Sequence, residues 1–263
     1  MKENKVIHRD GKTASTIFDN RSLEKDYRHL RPLLREGMHV LDVGCGTGAI
    51  SKDIAQIVGP SGEVIGIDNT AKFIESGRQT YGEVPNLSLQ AVDLFNFQAT
   101  APFDLIVAAR VLQWLNNPLA ALKHMKSLLR PGGQISILDY NHEALEWTPE
   151  PPASMRQFYA TFLRWRADAG MNNRIGEDLA DLFEEAGFRE IEVVNSDERY
   201  ERGQGNFEAK VGIWAKVARS KQMVEEGYLE EALRVKAVEE YEAWVEREAI
   251  SMTMKLNEVR GKV

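Results

Sequence analysis

The stretch VLDVGCGTGAIS, residues 40–51, places three glycines in five positions immediately after an apolar run. The run at 38–43 predicts a short buried strand, because it is partly β-branched and ends in glycine. Gly44, Gly46 and Gly48 remove side chains where a backbone turns tightly or a ligand approaches closely, and a helical pattern follows. The stretch therefore predicts a strand, a glycine turn and a helix in succession. Taken alone, such a turn is also compatible with ordinary turn chemistry.

The composition limits the classes of function. The chain has 263 residues, 43% of them hydrophobic, so it can bury a sizeable core. Its formal net charge of −7 argues against a broad nucleic-acid surface, because phosphate binding needs clustered basic side chains. No run approaches the roughly 20 apolar residues that span a bilayer. The single cysteine suits a reducing cytoplasm, where we expect the protein to act without a membrane or nucleic-acid partner. The oligomeric state stays open.

Predicted strands alternate with predicted helices through the first half of the chain. This alternation is typical of an α/β fold with a mostly parallel sheet that helices cover on both faces. The last helix of this half is expected to end at the Arg-Pro-Gly-Gly sequence of 130–133. The strands are predicted at 40–43, 64–67, 87–92, 105–109 and 134–139, and the helices at about 49–58, 70–81 and 118–130.

The alternation is interrupted twice in the second half. Apolar residues at helical spacing predict one long helix in the first interruption and two amphipathic helices in the second. A helix and a strand at 190–194 lie between them, and an apolar alternation predicts a last strand. The expected parts of one domain over 1–263 are N-terminal helices (1–37), a cofactor-binding core (38–142), a helical insertion (143–175), a return to the core (176–199), a second helical insertion (200–249) and the last strand (250–263).

Acidic residues lie near the ends of the first three predicted strands. Asp68 follows the second strand, where a carboxylate can accept hydrogen bonds from both hydroxyls of a ribose. The glycine loop and Asp68 fit a dinucleotide site as well as other adenosine sites. Asp42 would repel a pyrophosphate but suits a ligand with ammonium and sulfonium charges. Asp93 adds an acceptor within reach of an adenine amino group.

In this order, the glycine loop, the acidic strand ends and the Leu-Leu-Arg-Pro-Gly-Gly sequence of 128–133 resemble the class I S-adenosylmethionine-dependent methyltransferases. The resemblance covers 38–196 and extends to the final strand. It implies a Rossmann-like sheet of seven strands with an antiparallel last strand, and S-adenosyl-L-methionine as cofactor. It also implies that the glycine loop surrounds the methionine part, that Asp68 binds the ribose and that Asp93 lies beside the adenine. The cofactor-binding residues expected on this basis are Tyr27, Asp42, Gly44, Cys45, Gly46, Gly48, Asp68, Asn69, Asp93, Leu94, Ala109 and Arg110.

The chemistry implied by the resemblance is in-line displacement of a methyl group from sulfur. It depends mainly on positioning, which contributes on the order of 7–11 kcal/mol in favourable model reactions. A base is needed only if the acceptor oxygen or nitrogen arrives protonated. His142 follows the fifth predicted strand, at the sheet edge where α/β proteins bind ligands, and is the catalytic candidate. A solvated or hydrogen-bonded spectator role for His142 is the alternative. Because histidine and cysteine form no close pairs, we expect no metal site.

The acceptor is expected to be a small, partly apolar metabolite. The aromatic residues of the two insertions either pack as core or roof a cavity at the strand ends. The VLQWL sequence of 111–115 is similar to a segment of small-acid methyltransferases such as the trans-aconitate type. A predicted helix before the first strand carries Arg21, Tyr27 and Arg28. Tyr27 or Arg28 suits the methionine carboxylate or the acceptor. A solvated basic face of this helix is the alternative. The substrate residues expected are Arg28, Gln113, Trp114, Tyr140, Phe158 and Trp214.

Two other classes of function remain open from the sequence. An NAD(P)-dependent Rossmann oxidoreductase would share the glycine loop and Asp68, but it would give no reason for Asp42, Asp93 and an antiparallel last strand. A non-catalytic protein that keeps the cofactor fold as an interaction scaffold is also compatible, because methyl transfer demands no signature residue.

Overall fold

One mixed sheet of eight strands runs through the structure, a computed structural model that describes residues 4–7 and 21–263. Its strands in chain order are His39–Val43 (β1), Glu63–Asp68 (β2), Leu87–Ala91 (β3), Phe103–Ala109 (β4), Leu129–Thr148 (β5), Arg189–Asn195 (β6), Glu198–Glu201 (β7) and Ser251–Lys262 (β8). The spatial order is β3-β2-β1-β4-β5-β8-β6, and β7 pairs with β8. Only β8 runs against the other strands of the described sheet.

Helices cover both faces of this sheet, including the part formed by β8, β6 and β7 next to β5. The α-helices of the described ranges are Leu23–Asp26 (α1), Ala49–Val58 (α2), Ala71–Tyr81 (α3), Pro118–Leu128 (α4), Ala153–Asp168 (α5), Ile175–Glu185 (α6), Phe207–Val211 (α7), Ile213–Ala218 (α8), Gln222–Glu225 (α9) and Glu231–Arg247 (α10). Short 3-10 turns lie at Arg31–Leu33, Leu94–Asn96 and Leu112–Trp114.

The predicted fold is confirmed in its architecture but not in its number of strands. The sheet is mostly parallel, its last strand is antiparallel and both insertions are largely helical. The count of seven strands is wrong because β7 adds an eighth. β6 pairs with the second part of β8, from Asn257 onward, whereas β7 pairs with the first part, between Ser251 and Met254. The additional strand therefore satisfies backbone groups that would otherwise form an open edge.

Several predicted boundaries are corrected by the structure. The helix expected at 118–130 ends at Leu128, and β5 continues through 143–148, which had been assigned to the helical insertion. This extension is stabilised by pairing with β8 up to Thr148. Before β1, the described chain forms only α1 and a 3-10 turn, because Tyr27 leaves the helical region and Pro32 follows. The first helix of the second insertion is divided at Gly212 into α7 and α8.

Two apolar cores lie on opposite faces of the sheet. The first packs α4 and α6 against one face and includes Leu122 and Phe183. The second joins the other face and α2 to both insertions, and it includes Ile54 and Trp244. In this second core, α10 packs against α5 and α8. The insertions thus share a core with the sheet, at the side where β5 runs past the other parallel strands.

Across residues 4–7 and 21–263, the helices are all too short or too polar to cross a membrane.

Gly176 provides a test of the packing between α6 and the sheet. A Cβ atom at this position would lie 2.3 Å from the backbone oxygen of Asp139, a contact that no side-chain rotation can relieve. We expect Gly176→Ala to lower the free energy of unfolding by about 1–3 kcal/mol, although alanine has the better helix propensity. Urea unfolding followed by circular dichroism measures the change. Gly205→Ala is the matched control, because a Cβ there meets no atom within 4 Å; equal losses in both variants would contradict the packing argument.

Candidate active site

The glycine turn between β1 and α2 forms one side of the candidate site. Its backbone is left-handed, with φ of 69° at Gly44, 60° at Gly46 and 83° at Gly48. Residues with a side chain rarely adopt such angles. A Cβ at Gly44 would also lie 2.4 Å from Cγ2 of Val111, in the loop after β4. The glycines therefore allow two loops at the strand ends to approach each other closely.

The glycine turn is held by the end of β2. Gly44 N donates a hydrogen bond to the Ile67 carbonyl oxygen at 2.7 Å. Gly46 N donates to Oδ2 of Asp68 at 3.0 Å. Oδ1 of Asp68 accepts a bond from Thr70 N at 2.8 Å. Because each carboxylate oxygen can accept more than one hydrogen bond, Asp68 can hold this turn and still accept from a ligand hydroxyl.

A small pocket lies between the glycine turn, the start of α2 and the end of β4. It lies at the carboxyl ends of neighbouring parallel strands, the place where α/β sheets bind ligands. Its wall contains an acidic side chain, Asp42, and a basic one, Arg21. Arg21 is not among the site residues expected from the sequence. The lining residues are Arg21, Asp42, Gly44, Cys45, Ala49, Ile50 and Ala109.

Asp42 is a buried carboxyl in the wall of this pocket. It is 4% exposed and accepts a hydrogen bond from Ser51 Oγ at 2.6 Å. Burial raises the pKa of Asp42 to about 7 against the opposing effect of the Ser51 bond, and the Asp68 carboxylate adds to the rise. A positive charge bound in the pocket would favour the ionised form of Asp42. The pocket is therefore better suited to a cationic group than to a phosphate.

The residues expected around adenosine lie at the ends of the neighbouring strands β2 and β3. Asn69 is exposed directly after β2, next to Asp68. Asp93 follows β3, and its Oδ1 accepts a hydrogen bond from Phe95 N at 2.9 Å. Leu94 is buried beside it. These residues share one sheet edge with the glycine turn, as the sequence predicted.

Cys45 lies in the pocket wall but offers no nucleophile. Burial raises the pKa of its thiol well above the usual value, and the carboxylates of Asp42 and Asp68 add to this effect. The thiol is therefore neutral at physiological pH. Among the described residues, no group of three or more histidine, cysteine, aspartate or glutamate side chains is arranged to hold a metal ion.

Arg110 is the centre of a buried polar network directly after β4. Its Nε donates a hydrogen bond to the Tyr140 hydroxyl at 2.7 Å, and its guanidinium forms an ion pair with Glu198 of β7. Its Nη1 donates to the Asp26 carbonyl oxygen at 3.1 Å. The network connects β4, β5 and β7 to the segment that carries Arg21. Ala109, rather than Arg110, thus lies in the pocket wall.

His142 lies in a buried cluster on the other side of the loop after β4. Its Nε2 lies 2.7 Å from Oε1 of Gln113, and its ring contacts Tyr140 and Trp214. Burial lowers the pKa of His142 well below its usual value, and the nearby Arg166 lowers it further. The structure therefore brings Gln113, Tyr140 and Trp214 together around His142, which is neutral at physiological pH.

Arg166 on α5 is a residue of this cluster that the sequence analysis missed. It is 0% exposed, and its Nη2 donates a hydrogen bond to the Gln113 carbonyl oxygen at 2.9 Å. Its Nε donates to Asn173 Oδ1 at 2.8 Å, and the guanidinium lies 4.8 Å from the ring centroid of Trp114. The sequence contained one indication of this position. Arg166 follows Phe162 by four residues, so both lie on the same face of the helix.

Tyr27, Arg28 and Phe158 are expected residues that lie neither in the pocket wall nor among the contacts of His142 described above. Tyr27 is 1% exposed, and its hydroxyl donates a hydrogen bond to the Ser136 carbonyl oxygen at 2.7 Å. Arg28 is at the surface, where its Nη2 donates to the Asp197 carbonyl oxygen at 3.2 Å. Phe158 is fully buried in the core shared by the insertions and the sheet. Their contacts connect segments of the fold.

Asp42 should make the stability of the free protein depend on pH. Its folded pKa of about 7 exceeds the unfolded value of about 3.9, so the unfolded chain releases this proton first. Stability therefore falls as pH rises between these values, by up to about 1.4 kcal/mol per unit. Burial also raises the pKa of Asp139, to about 6, so Asp139 makes stability fall with rising pH as well. This contribution is present both in the wild type and in a variant of Asp42.

We expect the wild type to lose about 2 kcal/mol more than Asp42→Asn in free energy of unfolding between pH 5 and pH 8. The asparagine keeps an oxygen that can accept the Ser51 hydrogen bond but carries no ionisable group. Urea unfolding at several pH values measures the difference. Parallel pH curves for the two proteins would contradict a strongly raised pKa at Asp42.

Comparison with known proteins shows the family to which the chain with this site is similar. The model described as "Methyltransferase domain" matches residues 34–187. The demethylmenaquinone methyltransferase of Staphylococcus aureus is 29% identical over 180 residues, which cover 61% of this chain and 71% of that protein. The matched region of the family model contains β1 to β5 and the glycine turn.

Two solved structures resemble the fold. An S-adenosylmethionine-dependent methyltransferase from Aquifex aeolicus superposes with a TM-score of 0.51 at 22% identity, over 73% of this chain and 93% of that one. Phosphoethanolamine N-methyltransferase 2 of Haemonchus contortus, solved with S-adenosylhomocysteine, has a TM-score of 0.55 at 14% identity. That match covers 87% of this chain and 49% of the other, so this chain spans about half of its length. At these identities the likeness concerns the fold.

The family match covers more than half of the chain and includes the strand ends that form the pocket. Neither a nicotinamide-dependent oxidoreductase nor a non-catalytic scaffold finds support in these comparisons. The chain belongs to the methyltransferase domain family and is an S-adenosylmethionine-dependent methyltransferase.

Proposed function

We propose that this methyltransferase acts on a small-molecule acceptor held between the strand ends and the two helical insertions. The observation that carries the proposal is that Ile50, in the wall of the pocket with Asp42 and Arg21, belongs to the same apolar core as aromatic side chains from both insertions. We call Tyr159, Phe162 and Trp214 the aromatic roof; the Tyr159 and Trp214 rings meet edge to face at 4.7 Å. The bound cofactor supplies a methyl group activated by a positively charged sulfur.

The pocket residues suit the methionine part of the cofactor. This part carries an ammonium group and a sulfonium centre, which the carboxylate of Asp42 complements, and a carboxylate, which Arg21 complements. The left-handed backbone at Gly44 and Gly46 provides room for a close approach. Cys45 and Ala109 contribute small side chains to the same wall. We assign the methionine part of the cofactor to this pocket.

The adenosine part is assigned to the ends of β2 and β3. Asp68 has remaining acceptor capacity for the ribose hydroxyls, and Asn69 and Asp93 provide polar groups beside it. Leu94 supplies an apolar surface for the adenine. The assignment rests on the shared sheet edge of these residues and on the hydrogen bond that joins Asp68 to Gly46.

The insertions favour a small acceptor over a polymer. Both pack into one core with the sheet, and this core includes Ile50 of the pocket wall, so the insertions lie against the side of the sheet that carries the pocket. A polymer would need an open groove, and a nucleic acid would need a basic one, whereas the net charge of the chain is −7. The similar proteins from Staphylococcus aureus and Haemonchus contortus are named for small acceptors. We propose the cytoplasm as location, since the single cysteine is a free thiol.

The proposal is tested by supplying the purified protein with S-adenosylmethionine and a metabolite extract from which macromolecules have been removed. We expect formation of S-adenosylhomocysteine that depends on the extract, with a methylated small molecule identified by mass spectrometry. Methylation of purified RNA, DNA or intact protein, together with no turnover on the extract, would refute a small acceptor.

The role of Arg21 can be tested separately from the acceptor. We expect Arg21→Gln to weaken S-adenosylmethionine binding by about 1.5–3 kcal/mol, the usual contribution of a hydrogen bond to a charged group. Titration calorimetry should also show that wild type discriminates against the decarboxylated cofactor, whereas Arg21→Gln does so much less. Arg28→Gln is the matched control on the surface. Equal discrimination by Arg21→Gln and wild type would remove Arg21 from the carboxylate site.

A further inference from the structure

The contact between His142 and Gln113 determines which ring nitrogen of the histidine carries the proton. Gln113 Nε2 donates a hydrogen bond to the Arg110 carbonyl oxygen at 3.3 Å, so the amide oxygen Oε1 faces the histidine. An amide oxygen only accepts, and Nε2 of His142, 2.7 Å away, is therefore the donor. In the neutral ring Nδ1 then keeps its lone pair. No described residue donates a hydrogen bond to Nδ1.

The backbone of His142 is held on both sides. Its N–H donates to the Asn173 carbonyl oxygen at 2.7 Å, and its carbonyl oxygen accepts from the Tyr159 hydroxyl at 2.6 Å. The pairing of β5 with β8 is interrupted between Asn141 and Glu146, so His142 lies in an irregular part of the strand. Irregularities of this kind change the direction of side chains and are frequent next to active sites.

A single loop separates His142 from the cofactor pocket. On one side of this loop Val111 packs against Gly44. On the other side, two residues later, Gln113 binds His142. The remaining surroundings of the ring include Phe162 and Trp214, which meet it edge to face at 6.0 Å between centroids. The ring thus contacts two residues of the aromatic roof, and through Gln113 it also contacts the loop that meets the glycine turn.

We propose, on the basis of the function proposed above, that Nδ1 of His142 accepts the proton of an acceptor hydroxyl and that Gln113 is the positioning residue for this ring. A lone pair of the hydroxyl oxygen forms the new bond to the methyl carbon, and the electrons of the carbon–sulfur bond stay on sulfur. The O–H bond breaks as its proton moves to Nδ1. The resulting imidazolium returns the proton to water, so His142 is regenerated.

The electrostatic surroundings favour a hydroxyl over an ammonium acceptor. The charged and titratable groups packed around the ring are Arg166 and Tyr159 from α5 and Tyr140 from its own strand. Because burial disfavours the imidazolium and Arg166 adds to this effect, the ring is a weak base. A weak base cannot remove the proton of an alkylammonium, whose pKa is about 10, before attack. A hydroxyl becomes strongly acidic while its oxygen bonds to carbon, so a weak base is sufficient.

The proton position can be measured without any acceptor. In nitrogen-15 spectra of the imidazole rings, we expect the His142 signals to show a proton on Nε2 and a bare Nδ1, without titration near neutral pH. Gln113→Leu should lose this single tautomer, whereas Gln113→Glu should keep it, because the carboxylate accepts the same hydrogen bond. Gln157→Leu, on the exposed face of α5, is the control. A proton on Nδ1 in the wild type, or an unchanged tautomer in Gln113→Leu, would overturn the assignment.

The catalytic role is measured as S-adenosylhomocysteine formation with the macromolecule-free extract. We expect His142→Ala to lower turnover about 10²-fold or more, the usual contribution of a general base, while calorimetric affinity for S-adenosylmethionine changes little. Gln113→Leu should lower turnover and alter its pH profile, and Gln113→Glu should recover part of both. Product analysis should find a new O-methyl group.

The outcomes separate this inference from the function on which it rests. Turnover that is unchanged in His142→Ala, or that yields only N-methyl products, overturns the role of His142 and leaves a small-molecule methyltransferase in place. Intact binding of S-adenosylmethionine without any turnover of the extract by the wild type overturns the proposed acceptor class and the inference together.

Discussion

The attachment of the glycine turn to the end of β2 is the constraint on which the site depends. Hydrogen bonds from Gly44 and Gly46 to Ile67 and Asp68 hold a left-handed backbone that most residues would resist. Since α2 begins at the last glycine of the turn, these bonds also fix where that helix packs on the sheet. The loop after β4 can then contact the turn through Val111. One set of hydrogen bonds from the backbone of the turn thus positions both loops that border the pocket.

Buried charge distinguishes the two sides of the loop after β4. Arg110 is compensated by its ion pair with Glu198, so its burial stabilises a junction between strands. Asp42 instead accepts a hydrogen bond from the neutral Ser51 hydroxyl, and burial disfavours its charged form. A bound cation relieves that cost, and by linkage the binding of a cation and the ionisation of Asp42 support each other. The free protein therefore carries an unfavourable electrostatic feature at the place proposed for the positively charged part of its cofactor.

Local patterns in the sequence were sufficient for the parts of the fold and site that depend on neighbouring residues. The glycine turn, the acidic strand ends and the alternation of strands and helices are patterns of this kind. The eighth strand depends instead on the length of β8, whose first part pairs with β5 on one edge and would otherwise have an open second edge. Glu198 reaches Arg110 across 88 positions of sequence, and no spacing rule connects them. Arg166 was missed because a cation on an apolar helix face is usually assigned to solvent until its buried partners are known.

Helix α5 connects the proposed roof over the acceptor to the positioning of His142. Its residues Tyr159, Phe162 and Arg166 recur at intervals of three and four positions, so they lie on one face. Tyr159 holds the backbone of His142, Phe162 contacts its ring and Arg166 binds the carbonyl oxygen of Gln113. The same face belongs to the core that joins the insertions to the sheet. A change of α5 that enlarges the aromatic roof therefore also moves hydrogen bonds that orient the proposed base, and acceptor size and proton transfer cannot be altered independently at this helix.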